Sequence, residues 1–323
     1  EAMDSYEHAI KLRPCFDEAE ENMIGCLTVF IPKNFSSNPI SEVNEKIRKI
    51  NIKSNSKGII SDTHIVKLIS HSFNLIKSYN LKIGTELSQI YRRNAVHLNC
   101  KRHMSIFNEY NIIPKFCFGC YKVQIEPSNM IELIKLMIIF DQLKLKDNNT
   151  RKCMVELRPK IPGFYKGLIY CSSLKQANEI AGITDIIVKE NISAKLSSKV
   201  KRGCSEYPIT FPDYKEINNN GPQIMNYNED WMSFEESYDK KNFCLKDKKI
   251  NESLSGLNLQ DVLIIRNWID YAKGIGDTSI DLLDSHDFIN HFNTTFNNNV
   301  EFTGEVNFNN KIDLNIYNNL PIG

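Results

Sequence analysis

The chain lacks any run of about eighteen apolar residues, the length a membrane-spanning helix needs. Its most apolar stretch, LIKLMIIF at 133–140, is too short to cross a bilayer. It has no phosphate loop, no nucleophile elbow and no dinucleotide fingerprint, so three common routes to an enzyme assignment are closed. Histidine is absent between His103 and His286, which leaves the middle of the chain without a nearby general base. The acidic pairs in FEES and NYNEDW read as surface acids rather than as a catalytic dyad. An even, regularly spaced cysteine framework is missing too. The nine cysteines are odd in number and two form a C-x2-C pair, which fits a reducing compartment and a cytoplasmic location better than a secreted disulfide scaffold.

What is present is ordinary in bulk and uneven in detail. A composition of 41% hydrophobic and 24% charged residues suits a globular chain with a buried core. The formal net charge of +1 hides a strong asymmetry. Residues 1–90 carry 11 basic and 11 acidic side chains. Residues 91–204 carry 20 against 9, a net of +11, and residues 205–323 carry 9 against 19, a net of −10. A basic middle beside an acidic C-terminal region points either to an anionic partner or to pairing between the two.

The opening EAMDSYEHAIKLRP places Ala2, Tyr6, Ala9 and Pro14 at the spacing A-x3-Y-x2-A-x4-P, and CFDEAEENM follows with Ala19, Asn22 and Met23. This resembles the second helix of a tetratricopeptide repeat and the start of another, although Ile24 stands where that family has a small residue. The resemblance implies that residues 1–31 end a longer repeat array continuing on the N-terminal side, with repeats that bind a protein partner. Residues 32–97 read as a helical connector: Ile40, Val43, Ile47 and Ile50 form one stripe, and Asp62 opens a helix through Ile65, Leu68, Ile69, Phe73 and Ile76.

From 120 to 204 the pattern changes. Strands are expected at 120–126, 152–158, 165–171 and 195–204, with helices at 129–143 and 173–191. The order β-α-β-β-α-β is that of a ferredoxin-like domain, so the fold class expected is α+β. Beyond it, residues 205–323 form an acidic, asparagine-rich region with a helix at 257–274 and a hairpin about Thr303-Gly304.

Two constellations carry candidate chemistry. Cys100, His103, Cys117 and Cys120 follow C-x2-H-x13-C-x2-C in segment 98–120, a spacing that suits a structural zinc held by two knuckles, with Lys101 and Arg102 offsetting the thiolates. Cys153, Cys171 or Cys204 could replace one ligand. The second lies on the sheet. If Tyr121, Val123, Ile125, Cys153, Val155 and Leu157 face the helices, the other face carries Lys122, Gln124, Lys152, Glu156, Arg158, Lys166, Tyr170, Lys199 and Lys201. YKGLIYCSSLKQA resembles the third strand and following helix of RNA-recognition motifs, with Leu168 where those have an aromatic ring. That resemblance implies a single-stranded nucleic acid on an open basic sheet, bound by Lys122, Lys152, Arg158, Lys166, Tyr170, Lys199 and Lys201. The expected role is therefore recognition: a protein partner on the repeats and an anion on a zinc-stapled basic domain. The alternative is an enzyme working through a Cys/His-bound metal or through Cys204, whose thiol the neighbouring Lys201 and Arg202 would lower. A deep pocket holding Cys204 and Arg158 favours the enzyme; a flat basic sheet favours the binder.

Overall fold

The computed structural model describes residues 2–14, 16–32, 38–50, 60–93, 98–158, 161–242 and 251–284. The hairpin expected about Thr303 lies outside them. The elements are α1 (Ala2–Leu12), α2 (Asp17–Leu27), α3 (Pro39–Arg48), α4 (Asp62–Ser78), β1 (Gln89–Arg92), α5 (Cys100–Tyr110), α6 (Lys115–Gly119), β2 (Tyr121–Ile125), α7 (Met130–Gln142), β3 (Arg151–Val155), β4 (Tyr165–Cys171), α8 (Leu174–Asn191), β5 (Ser198–Arg202), α9 (Met232–Asn242) and α10 (Leu259–Ile275). The fold is α+β, with one antiparallel five-stranded sheet in the order β1-β3-β4-β2-β5. No helix among the described residues is long and apolar enough to cross a membrane.

Local chemistry explains most boundaries. Asn38 accepts from the Ile40 amide at 2.9 Å, and Pro39 opens α3 where a missing amide costs nothing. Asn129 caps α7 by accepting from the Glu132 amide at 2.9 Å. Asn258 and Asp261 form a reciprocal capping box on α10, which ends at Gly276 with φ of +76°, two residues beyond the Gly274 stop expected from sequence. The Ile40, Val43, Ile47 stripe is buried, as is Ile65, Leu68, Ile69 and Ile76 of α4.

The sheet's first face is covered by α7 and α8. Alternation places Tyr121, Val123, Ile125, Cys153 and Val155 here, all buried. Leu157 does not join them: β3 stops at Val155 and Leu157 is exposed. Gly167 lets α7 press onto β4; a Cβ there would stand 2.3 Å from the Leu136 side chain and 3.1 Å from that of Phe140. Helix α7 is apolar nearly all round because it is buried on both sides, by the sheet beneath and by α4 and α10 above. One continuous core runs from Met3 in α1 to Leu283 and includes all of these layers.

Two elements differ from expectation. Strand β1 was not foreseen; it adds to the β3 edge, pairing Ile90 with Cys153. Pairing of the acidic region with the basic one would set the helix of 257–272 over the lysine-bearing sheet, with Trp268 and Ile265 as its apolar anchors; α10 docks with both fully buried, but on α2, α3, α4, α7 and β1 instead. Its anchor is electrostatic. The Arg92 guanidinium donates to both Asp261 oxygens at 3.1 and 2.7 Å and contacts Asp141 at 2.9 Å, all three side chains being buried.

Candidate functional site

The second face of the sheet is not an open platform. Helices α5 and α6 and residues 203–207 lie over it and enclose a cleft of about 590 Å³. That is the size of a small-molecule site. Its floor is the outward set of side chains: Gln89 and Tyr91 of β1, Lys152 of β3, Lys166 and Tyr170 of β4, and Lys122 and Gln124 of β2. The roof is held by a second, separate core of Ile113, Cys117, Tyr207 and Tyr214, against which Phe107, Phe118, Phe211 and Trp231 pack.

Five of the seven residues expected to bind an anion meet here: Lys122, Lys152, Arg158, Lys166 and Tyr170. Lys199 and Lys201 do not. They lie on the outer edge strand β5, half-exposed, each 3.6 Å from Glu126. Within the cleft the charges divide. Glu156 accepts from Arg158 at 2.7 and 2.9 Å and from Lys166 at 2.8 Å, and Glu206 pairs with Arg158. Both carboxylates are thus engaged with Arg158 and Lys166. Lys122 is 5% exposed and donates to the Ser205 hydroxyl at 2.8 Å. Lys152 donates to the Gln89 side-chain carbonyl at 2.9 Å, and its ammonium lies 5.3 and 5.9 Å from the Tyr91 and Tyr170 ring centres. Among the described residues neither lysine has a carboxylate partner. Burial lowers both ammonium groups, Lys122 to about 8.

Glu156 titrates with the opposite sense. Burial alone would raise it, but the hydrogen bonds from Arg158 and Lys166 outweigh that and hold it at about 2, below its ordinary 4.5. A depressed carboxylate stabilises the fold above its ordinary value, and that contribution is lost as the pH falls toward its folded value. Glu156→Gln is therefore expected to unfold about 1.5–3 kcal/mol more easily at pH 7, the worth of hydrogen bonds to a charged group. The gap to the unmodified protein should close between pH 4.5 and about 2. Urea midpoints measured across that window check it; a gap independent of pH contradicts it.

Cys100, His103, Cys117 and Cys120 all line this same cleft. Among the described residues no three His, Cys, Asp or Glu side chains form a group that could hold a metal ion. Residues 115–119 form a short helix rather than a knuckle. It turns Cys117 into the second core, with its sulfur 3.4 Å from the Tyr207 hydroxyl. Cys120 follows at the start of β2, where its sulfur lies so close to Gly203 that a Cβ there would be 2.3 Å away. Cys100 opens α5 and His103 stacks on Phe116 at 5.1 Å. Burial raises all three thiols, Cys120 to about 12. Arg102, expected to offset thiolates, instead grips Asp239 at 2.6 and 2.8 Å and Glu235 at 3.2 Å on α9.

Cys204 also lines the cleft and donates to Glu206. Its thiol is pushed up to about 12, by burial first and then by Glu206, which lies 2.8 Å away. Arg202 points elsewhere, donating to the carbonyls of Phe118 and Tyr214 at 2.8 and 3.1 Å between the rings of Tyr121 and Tyr214. Sequence reasoning missed Gln89, Tyr91, Ser205 and Glu206. The alternation in QIYR was the one local signal for the first two.

Comparison with protein-family models, curated proteins and solved structures returned no match for this chain.

Proposed function

We propose that the cleft binds a small molecule bearing a carboxylate or phosphate, and that the chain is a recognition protein built around it. The observation that carries this reading is the pair Lys122 and Lys152. Two ammonium groups lowered by burial, with no carboxylate at ion-pair distance among the described residues and Glu206 and Glu156 acting on them at longer range, carry a desolvation cost that a ligand anion would offset. The enclosing roof favours a small anion over a polynucleotide, because Lys122 and Lys166 are buried beneath it. For a single-stranded nucleic acid the exposed pair Lys199 and Lys201 is what remains.

The same reading takes the scaffold as ferredoxin-like. Support comes from the run β2-α7-β3-β4-α8-β5 and the spatial order β3-β4-β2-β5. It takes α1 and α2 as the end of a tetratricopeptide array that docks a protein partner, supported by the packing of the two helices on each other and the burial of Ala19. Zinc is left out of this reading, because no three of its candidate donors among the described residues form a group that could hold a metal ion.

Calorimetry with inorganic phosphate tests the cleft. The unmodified protein is expected to bind, and Lys122→Met and Lys152→Met each to weaken binding by about 10- to 100-fold, the worth of one charged hydrogen bond. No binding at low salt, or binding unchanged in both variants, removes the proposal. An oligonucleotide that binds where phosphate does not, and is lost in Lys199→Glu/Lys201→Glu, would return the edge strand to first place.

A further inference from the structure

We infer that Cys100, Cys117, Cys120 and Cys204 are the ligands of an iron–sulfur cluster of four irons and four sulfides, seated between the roof of the cleft and the sheet. The inference goes beyond the anion reading and does not depend on it.

Placement carries it. All four cysteines line the one cleft, and they reach it from three parts of the chain. Cys100 opens α5, Cys117 and Cys120 lie in and just after α6, and Cys204 follows β5. Short contacts tie these parts together. The Cys120 amide donates to the Cys117 carbonyl at 3.2 Å, which folds the C-x2-C pair. The Gly203 amide donates to the Cys120 carbonyl at 2.9 Å, which sets Cys204 beside that pair. Gly203 leaves room for sulfur, since a Cβ there would stand 2.3 Å from Cys120 Sγ. Cys204 Sγ in turn lies 3.8 Å from Met104 Sδ. Met104 is four residues after Cys100 on α5, so the two share one face of that helix. Cys153 and Cys171 are set apart from the four, buried in the main core.

The spread of the donors selects the kind of centre. A single ion needs its sulfurs on one point, about 2.3 Å from each. Among the described residues no three donors are grouped that way. A cluster takes one thiolate on each iron, so its four ligands stand around a wider body, and a C-x2-C pair is a usual part of such a set.

Charge agrees with this. Lys122 lies within electrostatic reach of Cys204, and Lys152 of Cys100. Two ferrous and two ferric ions, four sulfides and four thiolates sum to a charge of minus two, opposite in sign to the two lysines. Assembly balances without an oxidant or reductant. Four S–H bonds break, four Fe–S bonds to cysteine form, and the four protons leave to solvent.

The test is anaerobic reconstitution of the full chain with ferrous and ferric iron, sulfide and dithiothreitol, followed by desalting and analysis for iron and acid-labile sulfide. About four of each per chain are expected, with a broad visible absorption that dithionite bleaches. Cys100→Ala/Cys204→Ala should lose the sulfide and the absorption. Cys100 is exposed and Cys204 half-buried, so the iron-free variant should keep the urea midpoint of the iron-free unmodified chain. Cys26→Ser and Cys171→Ala should retain the cluster. Iron and sulfide held equally by the Cys100→Ala/Cys204→Ala variant overturn the inference, as does one zinc per chain with no labile sulfide. Phosphate calorimetry separates the two proposals. Cluster uptake without phosphate binding removes the anion reading alone, and phosphate binding without cluster uptake removes the cluster alone.

Discussion

Replacing Arg92 with methionine is expected to lower the unfolding free energy by about 3–5 kcal/mol, because it strands two buried carboxylates. Asp261 and Asp141 are 3% and 6% exposed. Arg92 donates to both oxygens of the first, and its contact with the second is an ion contact at 2.9 Å rather than an aligned hydrogen bond. The two aspartates retain other work. Asp261 accepts from the Asn258 amide at 3.0 Å in the α10 cap, and Asp141 accepts from the Gly256 amide at 2.8 Å. Neither backbone donor supplies a full positive charge. Burial already raises Asp261 against the pull of Arg92; without that guanidinium it should titrate higher still, so the variant's stability falls as pH rises and recovers on acidification. Urea denaturation at pH 7 and pH 5 measures both effects. A loss below about 1 kcal/mol, the level of an exposed pair, would mean that the triad is not closed in solution.

Tyr207→Ala should cost about 3–5 kcal/mol, and the damage should be local. Tyr207 is 1% exposed, with its ring 4.9 Å from Phe107 and 5.3 Å from Tyr214. It belongs to the second core, which shares no buried member with the main one. The roof of the cleft rests on that core. Hydrogen exchange is expected to speed up in α5, α6 and α9 while the amides of α7 and β2–β4 keep their protection. Phosphate binding should be lost with the roof. Tyr207→Phe removes only a hydroxyl in contact with the Cys117 sulfur, and should cost about 1 kcal/mol or less. A uniform rise in exchange across the sheet would show that the two cores unfold as one.

Periodicity made much of this fold readable. The stripes of α3, α4 and α10 and the alternation of β2, β3 and β4 follow from residues that meet their neighbours within one element. Strand β1 escaped because four residues with an inward arginine look polar. Arg92 becomes a core residue through Asp141 and through Asp261, the latter 169 positions away. The cleft was half legible: alternation placed Lys122, Lys152, Lys166 and Tyr170 on one face, but nothing local said that the face is roofed. The stretch 98–120 did not show its helices, because its soft ligands drew more notice than its apolar residues. Ile106, Ile112 and Ile113 are buried, and together with Phe107 and Phe118 they make the segment a packing unit that turns Cys117 inward. Charge asymmetry pointed correctly to contact between the basic and acidic regions, through Arg92 with Asp261 and Arg102 with Asp239. It pointed to the lysine-bearing face for α10, which packs instead on α2, α3, α4, α7 and β1.

The packing of α10 on α2, α3 and α4 sets an order for synthesis. The Leu259 amide donates to Asn44 at 2.9 Å across 215 positions, and the Arg48 guanidinium reaches the Ser255 carbonyl at 3.2 Å. Early helices thus leave the ribosome with an apolar flank that has no cover until the 260s have been translated. Such long-range closure makes folding slow and leaves nascent chains exposed to chaperones and proteases. A ribosome that stalls before residue 257 releases a product whose sheet is complete but whose helical flank is bare. Ile47 of α3 and Ile69 of α4, which the finished protein buries fully, belong to that flank.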